Sequence, residues 1–178
     1  MLTKNQHNPA HLFVDDSPYF ITGSIYQKRA LLCSNAIKDY LLATIQQCFD
    51  EKGWLLNNWV IRGNHYHLLG ISKNGANLSR IFGKIHMLSA KLIGAKQHTE
   101  KPIWWNYWDY CPRDDRDYFT RLNYLLNNPI KHGYVTNLND YPYSSFHELL
   151  KKQGREFLIQ QFRKYSDYKN LYLDEDME

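Results

Sequence analysis

Hydrophobic residues in the first half of the chain follow two spacings, one typical of strands and one of amphipathic helices. Clusters of aromatic and β-branched residues predict strands at 19–26, 54–61 and 65–72. Apolar residues at helical spacing predict helices at 35–50 and 77–96, each with one hydrophobic face. A short polar turn separates the second and third strands, so these two are predicted to form a hairpin.

The second half of the chain adds an aromatic segment and further helical patterns. Residues 102–110 are aromatic and fit either a strand or a loop. Helical spacing predicts helices at 114–132 and 156–165, and Pro129 is expected to end or bend the first of them. Residues 141–145 (YPYSS) form a predicted turn between these helices.

The order of these elements is strand, helix, strand, strand, helix, followed by further strand and helix. This order is typical of the ferredoxin-like (RRM-like) fold of the α+β class, an antiparallel sheet with helices packed on one face. We predict an N-terminal arm at 1–18, one domain at 19–147 and a C-terminal helical extension at 148–178. The fold alone does not identify a function, since it hosts many.

Length and composition exclude several classes of protein. The chain has 178 residues, of which 43% are hydrophobic and 22% charged, which excludes a disordered tail, a collagen and a low-complexity segment. We find neither an apolar run long enough to span a bilayer nor a signal peptide, so no membrane partner is expected. The 3 cysteines form no CxxC pair, so we expect neither a disulfide framework nor a zinc ribbon, and a cytoplasmic location.

Charge and aromatic content leave two interpretations open. The formal net charge is +4, and aromatic residues make up 15% of the chain. Cations contact phosphates and aromatic rings stack on bases, so this composition suits a nucleic-acid partner. A tyrosine-rich core under a slightly basic surface would give the same numbers.

The sequence His65-Tyr66-His67 on the third predicted strand is the sharpest local feature. Side chains alternate between the two faces of a strand, so His65 and His67 point the same way, about 7 Å apart along the backbone. Two imidazoles at this spacing can converge on one metal ion. The alternative interpretation is a pair of strand histidines with ordinary hydrogen-bond partners.

A tyrosine and an asparagine are presented together on the predicted helix at 114–132. Tyr124 and Asn128 are four residues apart and therefore share one helix face. If this helix packs against the histidine strand, Asn128 can offer its amide oxygen as a third metal ligand, with Tyr124 one helical turn away. Alternatively, Tyr124 is a core residue and Asn128 ends the helix before Pro129.

Together these features resemble the REP-associated tyrosine transposases, relatives of the single-tyrosine transposases of small insertion sequences. His65-Tyr66-His67 matches the histidine–hydrophobe–histidine (HUH) motif of single-strand DNA endonucleases. The matching segments, in the family's order, are 19–22, 59–61, 64–69, 105–113, 124, 127–135 and 141–145. This chain departs from the family's pattern at two places. The turn at 62–64 lacks the proline that members often have there. The middle residue of the HUH motif, Tyr66, is larger than the common aliphatic residue.

The resemblance implies a reaction and a role for each matching residue. Tyr124 falls on the family's nucleophile, His65 and His67 fall on its metal ligands, and Asn128 falls on a third, polar ligand. The implied function is a metal-dependent endonuclease and strand transferase, using Mg²⁺ or Mn²⁺, that forms a covalent 5′-phosphotyrosine intermediate on single-stranded, hairpin-forming repeat DNA. The expected oligomeric state is a monomer, as in the REP-associated group, or a homodimer, as in the related insertion-sequence transposases.

Further basic and aromatic residues are expected to bind DNA. The predicted phosphate contacts are Arg80, Lys84, Lys91, Arg113, Arg116 and Lys131, and the predicted stacking residues are Trp105 and Trp108. A solvated surface role for the cations and core packing for the tryptophans are the alternatives. Two other functions fit the same residues: a nucleic-acid-binding module that does not cut, as in a domesticated transposase, and a metal-dependent nuclease that activates water.

Overall fold

Four strands and five α-helices follow one another along the computed structural model, which describes residue 11 and residues 13–173. The strands are β1 (Pro18–Ile25), β2 (Leu55–Ile61), β3 (His65–Ile71) and β4 (Trp104–Tyr110). The helices are α1 (Asn35–Asp50), α2 (Leu78–Gln97), α3 (Asp115–Lys131), α4 (Phe146–Gln153) and α5 (Arg155–Lys164). None of these described helices is long and apolar enough to cross a membrane.

The sheet confirms the predicted α+β ferredoxin-like fold. Its strands are hydrogen-bonded in the order β2-β3-β1-β4, and every neighbouring pair is antiparallel. Residues 102–110, which fitted either a strand or a loop, contain the edge strand β4. Most of the predicted arm at 1–18 and the end of the predicted extension at 148–178 lie outside the described residues.

Helices cover both faces of the sheet, because the strands carry large apolar side chains on both. Ile21 and Leu68 pack with α1 and α2 on one face. Phe20, Val60 and Leu69 pack with α3 and the C-terminal helices on the other. The prediction that helices pack on one face therefore holds for α1 and α2, whereas α3 lies opposite them, where it covers this second set of apolar residues.

The predicted turn at 141–145 joins the edge of the sheet next to β2. Ser144 forms an antiparallel bridge with Val60, and the Tyr141 hydroxyl donates to the backbone carbonyl of Ile61 at 2.7 Å. Helix α4 begins directly after this segment, and Gly154, with a positive φ of 81°, separates α4 from α5. These contacts attach the C-terminal helices to the face of the sheet on which α3 lies.

Candidate active site

The two histidines of the HUH motif lie side by side on β3, on the face of the sheet that α3 covers. His65 and His67 are 3% and 0% exposed, and their ring centroids are 4.8 Å apart. Side chains alternate along a strand, so the two histidines share a face with Leu69, two residues beyond His67. Leu69 belongs to the core under α3, which identifies the face. The two rings are close enough to share one ion.

Hydrogen bonds fix the orientation of the His67 ring. Its Nδ1 lies 2.8 Å from the hydroxyl oxygen of Thr22 on β1, and its Nε2 lies 3.3 Å from the side-chain nitrogen of Asn128 on α3. An amide nitrogen can only donate, so Nε2 of His67 accepts and Nδ1 carries the proton. The lone pair of Nε2 therefore faces Asn128.

The β2–β3 turn holds the His65 ring in the same tautomer. Its Nδ1 lies 2.9 Å from the side-chain oxygen of Asn64, and its Nε2 lies 3.0 Å from a guanidinium nitrogen of Arg62. A guanidinium has no acceptor, so Nε2 of His65 accepts from Arg62 and Nδ1 donates to Asn64.

A side-chain cap fixes the start of α3, the helix that carries Tyr124 and Asn128. The carboxylate of Asp114 accepts a hydrogen bond from the backbone N–H of Asp117 at 2.8 Å. This bond satisfies one of the backbone donors left free in the first helical turn, and the negative charge suits the helix dipole.

The end of α3 lies within one residue of the predicted end at 132, but Pro129, which was expected to end or bend the helix, does not end it. Pro129 lies inside the helix, which continues to Lys131. Gly133 adopts a φ of 70°, its N–H donates to the carbonyl of Ile130, and the N–H of Tyr134 donates to the carbonyl of Pro129. This pair of bonds around a left-handed glycine is a Schellman motif, so Gly133 rather than Pro129 ends the helix.

Tyr124 packs against His67 in the middle of this face. The two ring centroids are 5.4 Å apart, and the Phe20 ring lies 6.2 Å from that of Tyr124. The ammonium of Lys131 lies 4.7 Å from the centroid of the Tyr124 ring, a cation–π distance. Tyr124 is only 1% exposed, so a DNA strand can reach it only if neighbouring groups move.

Asn128 completes a set of groups that fits a divalent cation. The residue is fully buried, and its amide oxygen has no hydrogen-bond partner within the described part of the chain. A buried acceptor without a partner calls for an explanation, and a bound ion is one. Once Nε2 of each histidine is released from the hydrogen bond it accepts, two imidazole nitrogens and this oxygen would form a neutral donor set acceptable to Mn²⁺ and, with added water, to Mg²⁺. No cluster of three His, Cys, Asp or Glu side chains offers another metal site among residues 11 and 13–173.

Two of the predicted DNA-binding residues lie beside this site. Lys131 contacts Tyr124, and Trp108 is paired with Thr22 in the β1–β4 register. Trp108 and Thr22 line a cavity of ≈ 220 Å³ together with the C-terminal residues Tyr172 and Leu173. Two larger cavities lie among the C-terminal helices, and no histidine of the described residues lines either of them.

Two predicted phosphate contacts lie around the start of α3, and both are already engaged. Nε of Arg113 donates to the Tyr110 hydroxyl at 3.1 Å. The guanidinium of Arg116 forms an exposed ion pair with Asp167 at 2.7 Å. Both side chains are exposed, so DNA could exchange for these partners at little cost.

The structure does not bring the other predicted DNA-binding residues to the histidine pair. Arg80, Lys84 and Lys91 are on α2, which covers the opposite face of the sheet. Lys84 forms an ion pair with Glu51 at 2.6 Å. Trp105 stacks on Tyr26, with ring centroids 4.8 Å apart. A role for these residues in DNA binding stays a prediction.

Thr22 and Arg62 lie against the histidines, although the sequence pattern gave neither residue an individual role. Thr22 is paired with His67 in the β1–β3 register. Arg62 faces His65 across the two-residue turn, where its backbone N–H donates to the carbonyl of His65 at 2.8 Å. Residues that flank a two-residue hairpin loop lie opposite each other, so the position of Arg62 could have been read from the predicted hairpin.

Comparisons with known proteins find two relatives whose names both contain the words REP-associated tyrosine transposase. No protein-family model matches the chain. A Haemophilus influenzae protein named "Putative REP-associated tyrosine transposase" is 42% identical over 59 residues, which cover 33% of this chain and 34% of that relative. The REP-associated tyrosine transposase of Escherichia coli is 26% identical over 137 residues, which cover 76% of this chain and 79% of that relative.

A solved structure has the same fold. It is that of a REP-associated tyrosine transposase bound to a REP hairpin, and it matches with a TM-score of 0.68 and 23% identity over 84% of this chain and 87% of the other. The resemblance to the REP-associated tyrosine transposases, inferred above from the motifs of the chain, is confirmed by relatives that carry that name.

Proposed function

We propose that this chain is a metal-dependent endonuclease and strand transferase that cuts single-stranded, hairpin-forming DNA through a covalent bond to Tyr124. The observation that carries the proposal is the convergence of Tyr124, Asn128 and the two HUH histidines on one face of the sheet. The similarity to named transposases, and to a protein of the same fold bound to a REP hairpin, supports DNA as the substrate.

The proposed step exchanges one phosphate ester for another. The Tyr124 oxygen attacks the phosphorus, the bond from phosphorus to the 3′-oxygen breaks, and a 5′-phosphotyrosine bond forms. The phenol loses one proton and the departing 3′-oxygen gains one, so protons balance. A phenol has an ordinary pKa of about 10, far below that of an alcohol, so a 3′-hydroxyl can later displace the tyrosine and rejoin the strand.

The residues of this site would hold the cation and position the reactants. His65, His67 and Asn128 would be its ligands, with Thr22 fixing the His67 ring. When bound, a divalent cation would polarise the phosphate oxygens and align the leaving group. Lys131 adds positive charge beside the Tyr124 ring, where the phenolate charge would develop.

A covalent-adduct assay tests this function. The protein is incubated with hairpin-bearing single-stranded DNA, labelled at the end that would stay attached to tyrosine, and Mn²⁺, and the products are separated on a denaturing gel. We expect a slow-migrating protein–DNA adduct that disappears in Tyr124→Phe and persists in Tyr118→Phe, a matched change of a tyrosine on the same helix. An adduct that persists in Tyr124→Phe would remove Tyr124 from its role.

The burial of Tyr124 favours a second candidate, a module that binds nucleic acid without cutting it. At 1% exposure the tyrosine is closed to DNA in this conformation. Metal-independent binding, with no cleavage of any hairpin tested, would support this second function. Cleavage without a protein-linked stage would instead indicate the third function, a nuclease that activates water.

A further inference from the structure

Arg62 is a buried cation beside the histidine pair. It is 7% exposed, and no carboxylate among residues 11 and 13–173 forms an ion pair with it. Its guanidinium carbon lies 5.2 Å from the centroid of the Tyr134 ring, and its Nε has no hydrogen-bond partner in the part of the chain that the structure describes. A buried charge is costly unless an opposite charge compensates it, so this side chain is suited to an anion that arrives from outside the chain.

The chemistry of the guanidinium indicates which anion. Its planar set of N–H donors matches the oxygens of phosphate or carboxylate. Arg62 and His65 flank the same two-residue turn and lie on the same face of the sheet as Asn128 and Tyr124. At this place a phosphate of a nucleic-acid strand is the anion that the proposed reaction would supply.

Arg62 also forms a hydrogen bond to the nitrogen of His65 that would bind a metal ion. Its Nη1 donates to Nε2 of His65 at 3.0 Å, while Nδ1 of His65 is engaged with Asn64. One nitrogen lone pair cannot accept a hydrogen bond and bind a cation at the same time. Arg62 must therefore leave His65, and the Asn128 amide nitrogen must leave Nε2 of His67, before the two histidines can act as ligands. The donors of Arg62 then become free.

We propose that Arg62 is a phosphate-binding residue of this site, held on His65 in the free protein and transferred to an oxygen of the DNA phosphate when a divalent cation binds His65. This inference rests on the function proposed above and adds a residue to it. Metal binding and phosphate binding are then linked, because the ion releases the group that binds the phosphate.

The first test measures Mn²⁺ binding without DNA, from the electron paramagnetic resonance signal of free Mn²⁺. Arg62→Met removes both the charge and the competing donor, so we expect Mn²⁺ to bind about tenfold more tightly than in the wild-type protein. Arg163→Met, the same change at an exposed position on α5, should leave the affinity unchanged. A side chain with a purely structural role would, when replaced, weaken Mn²⁺ binding or leave it as it was.

The second test measures DNA binding in a Tyr124→Phe background at saturating Mn²⁺. Loss of one phosphate contact should reduce the slope of log affinity against log salt by about 0.7, the value for one contact on a single strand. Arg62→Gln, also neutral, provides a second variant if circular dichroism shows that Arg62→Met does not fold. Unchanged Mn²⁺ affinity, an unchanged salt slope, or no Mn²⁺ binding by any variant would overturn the proposal.

Neither test depends on strand cleavage, so the two proposals can fail separately. Absence of the Tyr124 adduct, with both Arg62 effects present, would reject the nuclease and keep the phosphate site. An adduct that forms in the wild-type protein, with neither Arg62 effect present, would keep the nuclease and reject the role of Arg62.

Discussion

The hydroxyl oxygen of Thr22 lies 2.8 Å from Nδ1 of His67, and the two residues are directly paired across strands β1 and β3. Both side chains are buried, at 3% and 0% exposure. Because Thr22 accepts the Nδ1 proton, the lone pair of His67 Nε2 points toward Asn128 and the centre of the site. A neighbour that fixes the tautomer and orientation of a histidine typically tunes the affinity of that histidine for metal.

Replacing Thr22 with valine should weaken metal binding while preserving shape. We expect Mn²⁺ affinity to fall by roughly 10–100-fold, because the His67 ring loses the acceptor that orients it, and Thr22→Ser should restore most of the loss. Titration followed by electron paramagnetic resonance measures both. The matched control is Thr44→Val, which removes a buried hydroxyl bound to the Tyr40 carbonyl on α1. Equal losses in the two valine variants would assign the effect to stability rather than to His67.

Asn128 and Asn123 allow a second comparison, because both are fully buried on α3 but only Asn128 contacts His67. Asn128→Asp places a carboxylate among the ligands proposed here, so the variant should melt at a lower temperature in EDTA and recover with Mn²⁺. At an ion concentration of about 100 times the Kd, binding contributes about 2.7 kcal/mol, a shift of roughly 5–10 °C for a domain of this size. Calorimetry with and without Mn²⁺ measures the recovery.

Asn123→Asp is the matched control for this comparison. The Asn123 amide nitrogen donates to the backbone carbonyls of Gln161 and Tyr165, and its oxygen accepts from the Gln161 side chain at 2.7 Å. A carboxylate there loses both donors and gains no ion, so its stability loss should persist in Mn²⁺. Recovery of both variants, or of neither, would argue against Asn128 as a ligand.

Local periodicity predicts which site residues share a face, but not which elements meet. Strand alternation places His65 and His67 together, and helical spacing does the same for Tyr124 and Asn128. The contact between these two pairs depends on α3 lying across the second face of the sheet, which no local pattern encodes. The need for that helix follows instead from apolar residues on both faces of the central strands.

Two details depend on backbone geometry and packing rather than on residue type. Pro129 was expected to end or bend the helix predicted at 114–132, yet the helix passes through it to Lys131, and the left-handed backbone of Gly133 closes the last turn. Arg62 reads as an ordinary turn residue, yet the hairpin turns its guanidinium onto His65 and buries it. The burial of Arg62 depends on α3 and the segment that follows this helix, so the hairpin alone does not predict it.

Tyr66, the middle residue of the HUH motif, points to the other side of the sheet from the histidines and depends on Gly23 for space. A Cβ atom added at Gly23 would lie 2.3 Å from Cζ of Tyr66, far inside van der Waals contact. The Tyr66 hydroxyl lies 2.8 Å from Nε2 of His86. Burial raises the pKa of the Tyr66 phenol well above its ordinary value and lowers the pKa of His86 to about 3, so a neutral phenol donates to a neutral imidazole.

Gly23→Ala should therefore destabilise the protein by roughly 1–3 kcal/mol, the usual cost of overpacking a core. In a Tyr66→Val background the clash is absent, so Gly23→Ala should be neutral or stabilising. Alanine loses less conformational entropy on folding than a glycine in a strand does. Urea unfolding of the wild-type protein, both single variants and the double variant gives the coupling energy, expected at about 1–3 kcal/mol. Additive changes in the free energy of unfolding would show that Gly23 does not make room for Tyr66. A large coupling would mean that this chain accommodates a tyrosine between its two HUH histidines through a glycine on the neighbouring strand.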